Sequence, residues 1–198
     1  MKTGPKYKVC RRLGSSVYTK CQTQKYALSE ERRRPPRRRR SRSNYAVQLL
    51  EKQKARFTYG VSEKQFSNYV NQAIEKKGSP AENLYRRLEM RLDNVVFQLG
   101  YAKSRRMARQ LVSHGHFTIN GKKLTVPSHL VKVGDTIELR ERSRDMIFAS
   151  KEEAAVQEPN WLKTDAKKSY TAIIESEPKY DASELSFDLT KVVEFYSR

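Results

Sequence analysis

Two periodicities and one charge run predict an α+β protein. Apolar residues at helical spacing fill the middle of the chain: within Arg91–Leu139, Leu92, Val95, Val96 and Leu99 fall on one helix face. Phe117 and Ile119 then alternate into Asn120-Gly121, a dipeptide that favours the left-handed turn of a two-residue hairpin. Ahead of the helices, Arg32–Arg42 reads RRRPPRRRRSR. The expected architecture is a helical block running into a helix–helix–β-hairpin module, preceded by a basic extended arm. The 198 residues suffice for one or two small domains with a modest core.

Residues 1–44 form the arm. They carry fifteen Lys/Arg against two acids, little apolar content, and Pro35-Pro36, which excludes helix there. Like charges repel, so the arm is expected to stay extended until phosphate neutralises it. Tyr45–Phe57 reads as a helix, with Val47, Leu50 and Lys54 on neighbouring turns and Lys52, Lys54 and Arg56 projecting; Tyr59-Gly60 interrupts it. Ser62 with Gln65 makes a capping-box pattern for the next helix, whose Phe66, Tyr69, Val70, Ala73 and Ile74 form one stripe and which Gly78 stops. Ser79-Pro80-Ala81-Glu82 starts another, with an N-cap, proline at the first helical position and a glutamate three residues after the cap. Leu84, Leu88 and Leu92 continue its apolar side. Stripes of this kind read as core rather than as base-stacking platforms.

Gly100 closes the helix begun at Leu92, and Ser104 caps a second one that Gly115 ends after His114. At about 100° per residue, Arg105, Arg106, Arg109 and Gln110 share one side of it, while Met107, Ala108, Leu111 and Val112 share the other. A helix glued to a small core by one stripe would thus show three guanidinium groups, and no acid, to the outside. Arginine forks match phosphate oxygens and stack on exposed bases, which suits a folded RNA. Lys103, Lys122 and Lys123 crowd the same module. Val133-Gly134-Asp135 leads into a strand at Thr136–Leu139. After Arg144 the pattern weakens: Ala149–Val156 reads as a short helix, Tyr170–Ile174 as a strand, and Leu189–Tyr196 as either helix or strand.

The net charge of +19 and a sequence pI near 10.0 point to a polyanionic partner. It is unevenly spread: +13 over residues 1–44, +9 over 45–142 and −3 over 143–198. Nucleic acid should therefore meet the first two segments, and the acidic last one should pack on the body or face protein or solvent. Membrane attachment is not expected, because no apolar run approaches the roughly 18–20 residues of a span and no signal-peptide core follows Met1. The two cysteines do not make a disulfide framework, and reduced intracellular thiols are the expectation. No phosphate-cradling glycine loop, nucleophile elbow or metalloprotease helix is present in the sequence, so no enzymatic activity, cofactor or small-molecule substrate is expected. Asp93 is expected to pair with an arginine, and His114 and His116 to donate to RNA rather than hold a metal.

The residues also carry a resemblance. Arg91–Leu139 resembles the small RNA-binding module named after small-subunit ribosomal protein S-four. The flanking runs YAVQLLEKQKARFTYGVSEKQF (Tyr45–Phe66), ENLYRRLEMRLDNVVFQLG (Glu82–Gly100), ARQLVSHG (Ala108–Gly115), PNWL (Pro159–Leu162) and VVEFYSR (Val192–Arg198) resemble the bacterial and organellar members of that ribosomal protein family. The resemblance implies an arm (1–44), a helical domain (45–90, completed by 170–198), an inserted module (91–155) and a C-terminal segment (156–198) that packs back on the helical domain. It implies direct binding of small-subunit (16S-type) ribosomal RNA at a multi-helix junction of its 5′ domain, early assembly, neighbouring small-subunit proteins as partners, and a place near incoming messenger RNA that affects accuracy. The setting would be the cytoplasmic ribosome of a bacterium or the ribosome of an organelle matrix.

Two departures from the family stand out. Members commonly carry Pro-Gly-Gln-His-Gly before the tyrosine matching Tyr45, where this chain has its arginine run. Members with a zinc knuckle place two cysteine pairs in the arm; here Cys10 and Cys21 match one of each pair, and Tyr7 and Tyr26 stand at the partner positions. Structural zinc takes four N or S ligands, so no metal is expected.

The expected RNA-contacting set is Arg11, Arg12, Arg37, Arg38, Arg39 and Arg40 in the arm, Lys52, Lys54 and Arg56 in the first helix, and Arg91, Lys103, Ser104, Arg105, Arg106, Arg109, Gln110, Ser113, His114, Lys122 and Lys123 in the module. Arg105, Arg106 and Arg109 should position the RNA, and Arg37–Arg40 should add mostly nonspecific affinity. The alternative is a non-ribosomal RNA-binding or RNA-modification factor using the same module, or a DNA-binding protein. An RNA-modifying enzyme would need a separate catalytic domain.

Overall fold

The computed structural model describes residues 4–32, 43–144, 147, 159–165 and 170–197. The chain divides into two units, Met1–Tyr85 with Asp181–Arg198, and Arg86–Tyr180. In the first unit the arm departs from expectation. Residues 6–31 form helices α1 (Lys6–Leu13) and α2 (Gln24–Glu31) over a small core of Cys10, Leu13, Val17 and Cys21, with Val9, Tyr18, Tyr26 and Phe57 against it. Four spaced apolar residues and the tyrosines bury enough surface to fold what its charge alone would extend. The expected extension of Arg37–Arg40 lies outside the described residues.

Helix α3 (Asn44–Tyr59) starts where the Ser43 hydroxyl accepts from the Ala46 amide and ends at Gly60, which takes the left-handed conformation (φ 62°). Helix α4 (Glu63–Glu75) is capped by Ser62, which accepts from the Gln65 amide. The Gln65 side chain donates to the Tyr69 hydroxyl at 2.9 Å. Phe66, Tyr69, Val70 and Ala73 are buried as the stripe requires, whereas Ile74 is exposed. Helix α5 (Pro80–Glu89) begins with its proline, and the Asn83 amide nitrogen reaches the carbonyls of Ala73, Lys76 and Lys77 that the end of α4 leaves open.

The ambiguous Leu189–Tyr196 segment is a helix, α8, with Asp188 accepting from the Thr190 and Lys191 amides. It packs on α3 and α4. Phe195 meets Tyr45, Tyr196 meets Phe66, Gln48 donates to Glu194 at 2.8 Å, and Glu51 accepts the Asp188 amide at 3.0 Å.

In the second unit the apolar spacing that runs on through Leu92 crosses a break. Arg91 is extended and bridges Leu130, while the Leu92 and Asp93 amides donate to His129 and Pro127. Helix α6 (Leu92–Gln98) follows, then α7 (Arg105–Ser113). Strands β1 (Phe117–Ile119), β2 (Lys122–Lys123), β3 (Thr136–Leu139), β4 (Leu162–Thr164) and β5 (Thr171–Ile174) form one antiparallel sheet ordered β2-β1-β3-β5-β4. Leu92, Val95, Val96 and Leu99 share a core with Val112, Phe117, Ile137, Leu139 and Ile174. The hairpin has the expected turn, with Asn120 and Gly121 both at positive φ (50° and 77°). Asn120 also clamps the turn to the neighbouring strand, accepting from the Thr136 amide and donating to Asp135, both at 2.9 Å.

The C-terminal segment is corrected. From residue 156 or 170 onward it was expected on the helical domain. Instead β5 pairs with β3 (Thr136 opposite Ile173) and β4 with β5 (Leu162 opposite Ile174). The reason is the edge of β3, whose unpaired backbone groups find partners in β5. Residues 181–197 alone of that segment belong to the first unit. The short helix expected at Ala149–Val156 lies outside the described residues.

Candidate nucleic-acid interface

Helix α7 carries the centre of the candidate site. Ser104 caps it by accepting from the Met107 amide, Gly115 ends it with φ 73°, and Ala108, Leu111 and Val112 are buried. Arg106, Gln110, Ser113 and His114 are exposed, as are Lys103 on the preceding loop and Lys122 and Lys123 on β2. Met107, expected in the core, is 36 % exposed. It sits at the margin of a stripe that three residues already fill.

The face is not free of acid. Asp93 lies beneath it, and Arg109 donates to Asp93 Oδ2 from Nε (2.8 Å) and Nη2 (2.6 Å). Arg91 donates from Nε and Nη2 to the same carboxylate at 3.0 and 2.8 Å, and is itself only 2 % exposed. Arg91 is therefore structural and cannot be the RNA contact expected of it. A lone buried carboxylate would be costly, and two guanidinium forks compensate it. Arg105 donates from Nε to Asn94 Oδ1 at 2.7 Å, and its guanidinium lies 4.5 Å from the Phe97 ring centre. Sequence reasoning missed Asn94 and Phe97, since no spacing rule links them to a helix that starts eleven and eight residues later.

Next to this face, the side chain of Lys123 crosses Gly115 so closely that a Cβ there would collide with it. His114 and His116 have ring centres 6.1 Å apart, and His116 Nδ1 lies 2.8 Å from the Ser143 hydroxyl. Burial first, then the charges of His114 and Arg140, hold His116 below the ordinary histidine value.

The three cations expected to project from α3 turn inward. Lys52, with 8 % of its side chain exposed, reaches Glu63 at 2.6 Å and lies over Phe195. Lys54 pairs with Glu51 at 2.8 Å, and Arg56 with Glu63 at 3.3 Å while stacking on Phe57. Glu51 was legible as a partner, three residues before Lys54; Glu63 was not, because it approaches across the Gly60 turn. Burial raises the Glu63 carboxyl, but the hydrogen bonds from Lys52 and Tyr196 and the charges of Lys52 and Arg56 outweigh this and leave it below its ordinary value. Arg11 pairs with Glu30 at 2.7 Å, Arg12 is exposed, and Arg37, Arg38, Arg39 and Arg40 lie outside the described residues.

A zinc knuckle does not fit this chain. Tyr7 and Tyr26, at the two missing ligand positions, stack face to face with ring centres 5.3 Å apart and 12° between planes. Cys10 and Cys21 are buried side by side as free thiols, and burial followed by the hydrogen bond with Cys10 pushes the Cys21 thiol up to about 12, away from the thiolate that zinc requires.

Known proteins match this sequence over nearly its whole length. The model of the ribosomal protein S4/S9 N-terminal domain matches residues 1–89, and that of the S4 domain residues 90–137. A small ribosomal subunit protein uS4 of Thermotoga petrophila is 42 % identical over 99 % of this chain and 98 % of its own. The Acetivibrio thermocellus protein of the same name is 43 % identical over 99 % and 98 %, and that of Syntrophomonas wolfei 45 % over 96 % and 95 %. With identity at this level along both partners' whole course, the chain belongs to the small ribosomal subunit protein uS4 family.

Proposed function

We propose that this protein is a structural constituent of the small ribosomal subunit that binds its ribosomal RNA directly. The observation that carries this is the match to uS4 relatives from one end of the chain to the other, arm, helical unit and module together. The cations of this face supply the chemistry: exposed Arg106, Lys103, Lys122 and Lys123 with the half-buried Arg105 and Arg109 address phosphates of a folded RNA by shape. The finer reading is a multi-helix junction of the 5′ domain, bound early in assembly, with neighbouring small-subunit proteins and incoming messenger RNA close by. No bond is made or broken in this role, and the cytoplasmic ribosome is its setting.

The test is equilibrium binding of the full chain, at one salt concentration, to a small-subunit 5′-domain transcript, an unrelated structured RNA of equal length and duplex DNA. Preference for the transcript is expected. Equal affinity for all three would overturn the reading and leave a general polyanion binder.

A further inference from the structure

The three arginines of α7 are held in different ways. Arg106 is exposed, and no hydrogen bond or ion pair among the described residues fixes its guanidinium. Arg105 and Arg109 are anchored from below by consecutive residues of α6, through Asn94 Oδ1 and Asp93 Oδ2. Those anchors are fixed in turn. Asn94 is buried and spends its amide nitrogen on the Glu89 carbonyl (3.1 Å) and Glu89 Oε2 (2.9 Å), which forces its oxygen toward Arg105. Gln98 donates to the same Glu89 oxygen at 3.1 Å. Asp93 is gripped from its other side by buried Arg91.

A guanidinium already tied along one edge loses less freedom when RNA arrives, and it faces outward in one direction only. Two guanidiniums share the Asp93 charge, so the cluster stays cationic. We infer that Asp93 and Asn94 are positioning residues: they hold Arg109 and Arg105 in a fixed display, so that this face of α7 selects RNA by the placement of its phosphates, while Arg106 adds charge without direction. This rests on the rRNA-binding reading above.

The experiment measures affinity of the full chain for the 5′-domain transcript and for an unrelated structured RNA of equal length, across a salt series, with folding followed by circular dichroism. Asn94→Ala and Asp93→Asn are expected to lower the preference for the transcript by roughly tenfold, through the transcript alone and with an unchanged salt slope. Arg106→Ala should weaken both RNAs alike. Folded Asn94 and Asp93 variants that keep the preference, or that weaken both RNAs equally, overturn the inference. Should those buried changes unfold the chain, Arg105→Lys and Arg109→Lys decide it. They keep the charge but not the planar fork, and a preserved preference in both would be fatal to the inference. An unmodified chain without preference takes down the rRNA reading first, and this inference with it.

Discussion

Lys52 Nζ lies 2.6 Å from Glu63 Oε1, so one carboxylate at the start of α4 holds a nearly buried ammonium of α3, together with Arg56 and the Tyr196 hydroxyl of α8. Three helices meet at that side chain.

Glu63→Gln is accordingly expected to cost about 1–3 kcal/mol, because Lys52 stays buried without its anion. The folded carboxyl titrates below its ordinary 4.5, so on acidification the unfolded chain takes up the proton first. Its contribution is complete above 4.5 and is lost as pH falls through the folded value. Urea melts across that range should show an acid decline that is shallower in the glutamine variant; parallel curves would refute the hub.

Replacing Arg105, Arg106 and Arg109 together by alanine should weaken transcript binding far more than replacing three of Arg37–Arg40, measured at matched salt. Each phosphate neutralised contributes roughly −0.7 to −0.9 to the log–log salt slope, so both triples should flatten it. Equal losses of affinity would mean that charge alone does the work.

Gly115→Ala combines a left-handed backbone with a collision against Lys123. A loss of about 1–2 kcal/mol is expected from the backbone conformation. Lys123 must also move. Thermal melts and RNA titrations should both report the change, and an unaltered melting temperature would contradict this geometry.

The thiols offer a separate check. Both are buried, and Cys21 titrates near 12, so alkylation at neutral pH should be slow in the folded chain and fast in denaturant. A chelator should leave the melting curve unchanged. One tightly held zinc per purified chain would refute the aromatic replacement of the knuckle.

What could be read in advance was local. Ser104, Gly115 and the Asn120-Gly121 turn announce themselves within four residues, because caps and tight turns are short-range chemistry. The helical part of the module's core, Leu92, Val95, Val96 and Leu99 with Ala108, Leu111 and Val112, followed from spacing, Met107 excepted. What escaped was long-range. Glu63 reaches Lys52 around a turn, Asp93 takes not only its expected neighbouring arginine, Arg91, but also Arg109 from another helix, and β5 finds β3 more than thirty residues away. Charge counting also misled at both ends of the argument: it extended residues 6–31 of the arm, which fold on two cysteines and a tyrosine stack, and it put Arg91 outside when an acid two residues on draws it in.

The bond between Gln48 and Glu194 ties together residues 146 positions apart. During synthesis all of 86–180 therefore leaves the exit tunnel before α8 emerges to cover α3. The middle of the chain can mature while the unit that surrounds it in sequence still waits for its lid. Protease digestion of released chains truncated after Tyr180 would register this as a protected centre beside a cleavable N-terminal flank, and a protected α3 in that chain would contradict it.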